Sequence, residues 1–237
     1  MARILLIETA TEVCSAALAI DGVVVALQEE PQSTQHAALL TLQIEACMQQ
    51  AGIEYADLDA VAVSSGPGSY TSLRVGASVA KGLCYALRKP LIAVDTLLAL
   101  AYASRRTGDQ AAPVRSGVLY IPMLDARRQE VWTAAYDADM NQVASAQPLV
   151  IENNLFENFI SSLLRDSSHV ELVFSGNGAF KVKNVRQGQE VAKTRCSAAD
   201  LAFWADQKYE CTDFQDIAYW QPFYMKQPSI TTPNKKI

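Results

Sequence analysis

A glycine loop between a strand pattern and a helix pattern is the feature that most constrains how this chain can fold. Val61 and Val63 mark an apolar, β-branched run typical of a buried strand, and a helical pattern runs from near Thr71 to about Leu87. A strand that reverses sharply into a helix needs small residues that tolerate unusual backbone angles. The loop that meets this need consists of Ser65, Gly66, Pro67, Gly68, Ser69, Tyr70 and Thr71. The stretch therefore predicts a β–loop–α unit of an α/β fold.

The glycine loop has two interpretations, and the sequence leaves both open. A helix N-terminus behind such a loop can hold an anion, and Ser69 or Thr71 can cap the helix. Alternatively, the loop is a tight turn that binds no ligand, since glycine turns are common. The spacing excludes a phosphate-binding P-loop, because the residue directly before Lys81 is not a glycine. It also excludes a dinucleotide fingerprint, because Thr71 replaces the third glycine.

The composition of the 237-residue chain indicates a globular protein with one large domain or two small ones, since half of its residues are hydrophobic. Its formal net charge of -5 argues against tight direct binding to nucleic acid. Five scattered cysteines without a C-x-x-C pair are typical of a reducing compartment. Neither a signal peptide nor a membrane span is evident, so we expect a soluble cytoplasmic protein without membrane contact.

The pattern of strands in the first half of the chain recurs in the second half. In each half a strand ends at an acid, Glu8 or Asp125, and two further strands and a helix follow. The recurrence predicts a duplicated α/β fold of the actin, Hsp70 and sugar-kinase (ASKHA) type, with a cleft between two subdomains. We place the first subdomain at residues 1–104 plus part of 212–237, and a second, reduced one at 105–211.

In this architecture an acid at the end of the first strand normally points to a metal-bound phosphate, and Glu8 has that position. The alternative is an ordinary turn acid. The run Ser175-Gly-Asn-Gly-Ala is a weak candidate for a second phosphate loop. Because no stronger second motif is present, the sequence favours the turn acid.

The helices predicted at 35–51 and 71–87 each carry apolar or small side chains on two faces. The faces with a core pattern contain Leu40, Ile44, Cys47, Ala51, Leu73, Ala77, Ala80, Cys84 and Leu87. The second faces contain Leu39, Leu42, Ala46, Val75, Ser78, Val79, Gly82 and Ala86. A surface helix needs only one apolar face, so the second faces predict a partner surface. The alternative is that both helices are sandwiched inside one domain.

Several stretches resemble the bacterial TsaB (YeaZ) family. They lie at residues 4–18, 65–76, 80–83 and 124–128, and the Gly-Pro-Gly loop with its helix is the most specific. The resemblance is strong over residues 1–104, moderate at 118–136 and weak afterwards. Glu8 departs conservatively from the aspartate that is usual in the family at that position.

The resemblance implies a non-catalytic subunit of the complex that forms N6-threonylcarbamoyladenosine at position 37 of ANN-decoding tRNAs. Family members bind the catalytic relative TsaD, the small ATPase TsaE joins that pair, and tRNA is engaged indirectly. In isolation a homodimer is expected, formed through the first two helices. The resemblance implies no cofactor for the chain itself, and it leaves open whether ATP or ADP binds at the partner interface.

The resemblance also implies that the metal site of TsaD is absent. TsaD-like proteins carry two metal-ligating histidines one helical turn apart, where this chain has Thr96 and Leu100. The only histidines, His36 and His169, are far apart in sequence and are interpreted as surface or packing residues. No metal site and no catalytic residue is therefore expected.

Two other functions remain as alternatives. One is an autonomous enzyme, either a kinase-like ATPase or a glycoprotease-like hydrolase, against which the missing phosphate loop and ligand pair count. The other is a direct tRNA-binding module, which the net charge disfavours.

Overall fold

The computed structural model describes residues 1–107, 117–152, 154–164, 171–183, 190–192 and 195–224. The strands of the first half are β1 (Arg3–Glu8), β2 (Cys14–Ile20), β3 (Val23–Glu30), β4 (Ala60–Ser64) and β5 (Leu91–Val94). Its helices are α1 (His36–Ala51), α2 (Tyr70–Leu87) and α3 (Thr96–Thr107), with a 3₁₀ turn at Tyr55–Asp57. The strands of the second half are β6 (Val118–Asp125), β7 (Glu130–Tyr136), β8 (Gln142–Val150), β9 (Glu171–Ser175) and β10 (Glu190–Ala192). Its helices are α4 (Leu155–Leu163), α5 (Phe180–Lys183) and α6 (Ala202–Glu210), the last preceded by a 3₁₀ turn at Ala198–Leu201.

The two halves form two five-stranded sheets with the same strand order. The first sheet has the order β3-β2-β1-β4-β5, and the second has the order β8-β7-β6-β9-β10. In each sheet the first three strands are antiparallel, and the remaining two run parallel to the first. The fourth strand pairs with the first, and the fifth pairs with the fourth. Each half therefore repeats one topology, which confirms the predicted duplicated α/β fold.

Local residue choices set the ends of several elements. Asp21 and Gly22, both with positive φ, make the tight turn between β2 and β3. Gly52 ends α1 in the left-handed conformation, and its N–H bonds back to the carbonyl of Gln49. Ser197 accepts a hydrogen bond from the N–H of Ala199 and so begins the 3₁₀ turn before α6. Each of these residues is a local signal that the sequence alone displays.

Helices α1 and α2 cover one face of the first sheet. Leu40 and Ile44 of α1 and Ala80 and Cys84 of α2 are buried against strand residues such as Leu5. The opposite sides of the two helices are not covered by another layer of the described chain. Leu42, on that side of α1, is 60% exposed. The predicted core faces are confirmed, and the alternative of helices sandwiched inside one domain is wrong for the described residues.

The segment before the C-terminus packs differently from its predicted place. Ala198, Leu201 and Ala205 are buried against Ile4 and Leu6 on the other face of the first sheet. The sequence assigned this segment to the second subdomain at 105–211. Small alanine side chains allow α6 to approach the first sheet closely, and this contact involves residues far apart in sequence.

Helix α3 lies between the two halves and joins their cores. Leu97, Leu100 and Ala101 are buried with Leu124 and Ala134 of the second sheet. The helix continues to Thr107, and residues 108–116 lie outside the described residues. None of the helices in the described ranges combines the length and the apolar character that crossing a membrane requires.

Candidate functional site

Close packing explains why two positions of the β4–α2 stretch are glycines. A Cβ atom on Gly68 would lie closer than 3.0 Å to the backbone of Ala10, and one on Gly76 would collide with the hydroxyl of Thr9. Ser69 donates its N–H to the carbonyl of Ala10 at 2.7 Å, and the Thr9 hydroxyl donates to the carbonyl of Ser72 at 2.8 Å. The glycines therefore let the loop and α2 seat directly on the β1–β2 turn, which favours the interpretation of the loop as a tight turn.

The same loop is bonded on its other side to α3 and to the C-terminal segment. The N–H of Gly66 donates to the Thr96 hydroxyl at 3.1 Å, and the N–H of Thr96 donates to the Gly66 carbonyl at 3.0 Å. Phe223 donates its N–H to the carbonyl of Ser65 at 2.7 Å. Ser69 is the N-cap residue as predicted, but its side chain makes no capping bond and instead contacts the Ser72 hydroxyl at 3.0 Å. These contacts fix the loop in place.

Glu8 lies in the interior and not on an open cleft. Its side chain is 1% exposed and accepts hydrogen bonds from the N–H of Ala10 and from the hydroxyl of Ser64 at 3.0 Å. Burial raises the pKa of the Glu8 carboxyl to about 7, although both hydrogen bonds act in the opposite direction. The carboxyl ties the end of β1 to the end of β4. Glu8 is therefore neither an ordinary turn acid nor a group presented to a ligand in this structure.

Asn177 joins the turns at the ends of the two equivalent first strands. Its amide nitrogen Nδ2 donates to Oε2 of Glu12 at 2.6 Å, and its Oδ1 accepts from the N–H of Asp125 at 2.9 Å. Lys181 reinforces this arrangement through an ion pair with Asp125 at 2.6 Å. The Ser175-Gly-Asn-Gly-Ala run, considered from the sequence as a phosphate loop, thus forms a direct bridge between the halves.

Sequence reasoning missed this bridging role. The Gly-Asn-Gly signal was visible, and the structure shows what its glycines do. A Cβ atom on Gly176 or Gly178 would lie closer than 3.0 Å to the neighbouring β6 backbone. The pairing of Asn177 with Glu12 spans 165 positions. No local pattern encodes a contact over that separation.

The two residues at the positions of the metal ligands in TsaD-like proteins are buried in the core. Thr96 and Leu100 are 0% and 1% exposed, and Leu100 packs among Leu124 and Ala134. Within the described ranges, no group of three or more His, Cys, Asp or Glu side chains is placed to hold a metal ion. His36 is buried at the start of α1, which agrees with a packing role, and His169 lies outside the described residues.

The second faces of α1 and α2 together form a surface that we call the α1–α2 face. It consists of Leu39, Leu42, Ala46, Val75, Ser78, Val79, Gly82 and Ala86. Leu42, Ser78, Gly82 and Ala86 are exposed, and the other four are half-buried. At Gly82, no heavy atom lies within 4 Å of the position that a Cβ atom would take. Half of the predicted partner residues are therefore fully accessible, whereas Leu39, Val75 and Val79 also pack against the core of the first half. The role of the face in binding stays a prediction.

Comparison with known proteins identifies the family. A family model described as TsaD, tRNA N6-adenosine threonylcarbamoyltransferase, matches residues 24–220. The chain therefore belongs to this family. It is similar to TsaB of Escherichia coli (strain K12), a tRNA threonylcarbamoyladenosine biosynthesis protein, with 34% identity over 141 residues. That match covers 60% of this chain and 58% of the relative, so the chain spans little more than half the length of this curated relative.

Solved structures agree with the fold. YeaZ from Pseudomonas aeruginosa aligns with a TM-score of 0.76 at 24% identity, covering 94% of this chain and 100% of that chain. Component A of (R)-2-hydroxyglutaryl-CoA dehydratase from Acidaminococcus fermentans aligns with a TM-score of 0.52 at 10% identity, covering 89% of this chain and 100% of that chain. At these identities the likeness concerns the architecture, and it confirms the duplicated ASKHA-type fold.

Proposed function

We propose that the chain is a non-catalytic subunit of the complex that forms N6-threonylcarbamoyladenosine at position 37 of ANN-decoding tRNAs, and that it acts by binding TsaD. Support comes from its family and from the name of its Escherichia coli relative, a threonylcarbamoyladenosine biosynthesis protein. The observation that carries the proposal is the α1–α2 face, because an accessible apolar surface on two packed helices is typical of a protein-binding site.

Each of the two helices has side chains that pack in the core and others that are accessible to a partner. Ala80 and Cys84 are buried in the core, whereas Gly82 and Ala86, on the other side of α2, are exposed. Small exposed residues let a partner helix approach the α2 backbone closely. Leu42, with 60% of its surface exposed, supplies apolar area beside them. A helix pair of the same kind on TsaD would bury this area, and without TsaD a second copy of the chain would do so across a two-fold axis.

The absence of catalysis in the chain itself is part of the proposal. The Thr96 hydroxyl accepts a hydrogen bond from the N–H of Gly66, and the Leu100 side chain cannot ligate a metal. The Asn177 amide and the Glu12 carboxylate are bonded to each other in the bridge between the halves. TsaE then joins the complex through the pair, and any ATP or ADP binds at the interface with the partner and not within this chain.

Substitution of Gly82 by arginine provides the decisive test. A side chain at Gly82 meets no neighbour in the monomer, and arginine is a better helix former than glycine by up to about 1 kcal/mol. Gly82→Arg should therefore leave the monomer as stable as before, or more stable, while a buried unpaired charge opposes assembly by several kcal/mol. Sedimentation velocity with and without TsaD, together with circular dichroism, measures both effects.

Three further variants complete the experiment. Val79→Glu should also break the homodimer and the TsaD complex, whereas Val143→Glu, at an exposed position on β8, should break neither. Ala80→Glu, in the core, should unfold the chain. If Gly82→Arg stays folded and still forms both assemblies, the interface lies elsewhere. Steady ATP or peptide turnover by the chain alone, lost in Glu8→Ala, would instead support the enzyme alternative.

A further inference from the structure

The region around α2 is basic although the chain as a whole is acidic. Residues 60–94 contain no Asp or Glu, and they contain Arg74, Lys81, Arg88 and Lys89, whereas the formal net charge of the chain is -5. The overall charge is therefore an average that conceals a local excess of positive charge. Such a local excess is the electrostatic requirement for binding a polyanion.

The helical period brings these cations to one side of α2. Arg74 and Lys81 are spaced by seven residues, so they lie along one line on the helix, and Tyr85 lies one turn beyond Lys81. Arg88, in the left-handed conformation, directly follows the last residue of α2. Tyr70 stands at the start of the same line. We call Tyr70, Arg74, Lys81, Tyr85, Arg88 and Lys89 the basic strip. It runs beside the α1–α2 face, on the flank toward the C-terminal segment.

Aromatic rings alternate with the cations along the basic strip. The Arg74 guanidinium lies 5.5 Å from the centre of the Tyr70 ring, which in turn lies 4.7 Å from the ring of Tyr224. Lys81 lies 5.9 Å from the centre of the Trp220 ring. Tyr85 is 80% exposed although it has a large apolar ring. An exposed ring between cations is suited to stacking on a base while the cations contact phosphates.

A cavity lies at the end of the basic strip. It has a volume of about 770 Å³, and its lining includes Tyr85, Arg88, Lys89, Gln215 and Asp216. Asp216 is the acid in this lining, and its carboxylate accepts a hydrogen bond from the N–H of Ala218 at 2.8 Å within its own turn. The cavity therefore presents two cations, one carboxylate, an exposed ring and an amide, so its cations outnumber its acid, as contact with the phosphate of a nucleotide unit requires.

We propose that the basic strip binds the phosphodiester backbone of tRNA, with one nucleotide in the cavity. The inference rests on the proposed function, which supplies tRNA as the nucleic acid that the complex must hold. Since the strip borders the α1–α2 face, a tRNA lying along it would reach the partner bound at that face. The chain would then contact the substrate directly as well as bind TsaD.

The experiment compares two charge-reversal pairs that change the net charge equally. The test pair is Arg88→Glu with Lys89→Glu, and the control pair is Arg127→Glu with Arg128→Glu in an exposed turn of the second half. Arg88 of the test pair and both residues of the control pair have positive φ, so the control places at least as many substitutions in strained backbone as the test does. Fluorescence anisotropy with tRNA, at several salt concentrations, is measured for the chain alone and for its complex with TsaD.

The expected result is weaker tRNA binding by the test pair, by about tenfold or more at low salt, and a salt dependence shallower by ~2 in log–log slope. The control pair should bind as the unmodified chain does. Equal loss in both pairs, or no loss in the test pair, overturns the inference. If the test pair instead loses TsaD in sedimentation and retains tRNA binding, the strip belongs to a protein interface and the inference is wrong.

The failure of this inference is distinguishable from failure of the proposed function. Sedimentation of the unmodified chain with TsaD reports the complex without any RNA. tRNA binding by the chain alone reports the strip without TsaD.

Discussion

Substitution of Asn177 by aspartate should weaken the junction between the two halves. The change preserves shape and keeps the oxygen that accepts from the N–H of Asp125, but it replaces the amide donor to Glu12 with a second carboxylate. A hydrogen bond to a charged group contributes about 1.5–3 kcal/mol. Because Asn177 and Glu12 are only half-buried, solvent limits the added repulsion to roughly 1 kcal/mol. The expected loss of unfolding free energy is therefore about 3 kcal/mol, or roughly 6–12 °C in Tm for a chain of this size.

Urea and thermal unfolding followed by circular dichroism measure this loss, and a second substitution tests its cause. Glu12→Gln in the Asn177→Asp background reverses the direction of the bond, since the new amide can donate to the new carboxylate. It should recover most of the lost stability. Asn158→Asp makes the same chemical change at an exposed position on α4 and should shift stability by less than about 0.5 kcal/mol. If Asn177→Asp behaves like Asn158→Asp, or if Glu12→Gln gives no recovery, the bridge does not hold the halves together.

Two further outcomes are expected. The folded-state pKa of Glu8 is raised from 4.5 to about 7, so the folded state holds this proton more tightly and stability falls as pH rises from about 4.5 to 7. Glu8→Gln should reduce that fall by about 2.5 kcal/mol in unfolding experiments at pH 5 and pH 8. Asp200, whose pKa is also raised to about 7, keeps a pH dependence of its own in the variant, although its charge no longer acts on a carboxyl at position 8. An unchanged pH dependence would contradict the assigned burial. Metal analysis of protein purified without chelator should find far less than one zinc or iron per chain, since Thr96 and Leu100 are core residues. A stoichiometric metal would refute the non-catalytic proposal.

The sequence by itself determined the local elements. The helices predicted at 35–51 and 71–87 are α1 and α2, which start within one residue of those positions and end where predicted. Periodicity, a turn at Asp21 and Gly22, and a terminal glycine at position 52 are local signals, and each depends on residues close together in the chain. The repeat of strand patterns likewise gave the duplicated fold, because each half carries its own copy of the pattern.

The division of α1 and α2 into buried and accessible faces was also predictable. The core stripe follows directly from the 3.6-residue period, and what remained was an apolar surface without a partner in the chain. The sequence left open whether another layer of the same chain covers that surface. The structure excluded such a layer among the described residues, since Leu42 and Gly82 are exposed there.

Only the tertiary structure decided how the distant parts meet. Three contacts join residues separated by tens to more than a hundred positions. They are the bond between Glu8 and Ser64, the packing of α6 on the first sheet, and the bridge from Asn177 to Glu12. Such contacts depend on how the sheets and helices stack, and a local pattern contains no information about that stacking. The same holds for the basic strip: its cations are visible in the sequence, but the aromatic rings of Trp220 and Tyr224 reach it only because the C-terminal segment folds back along α2.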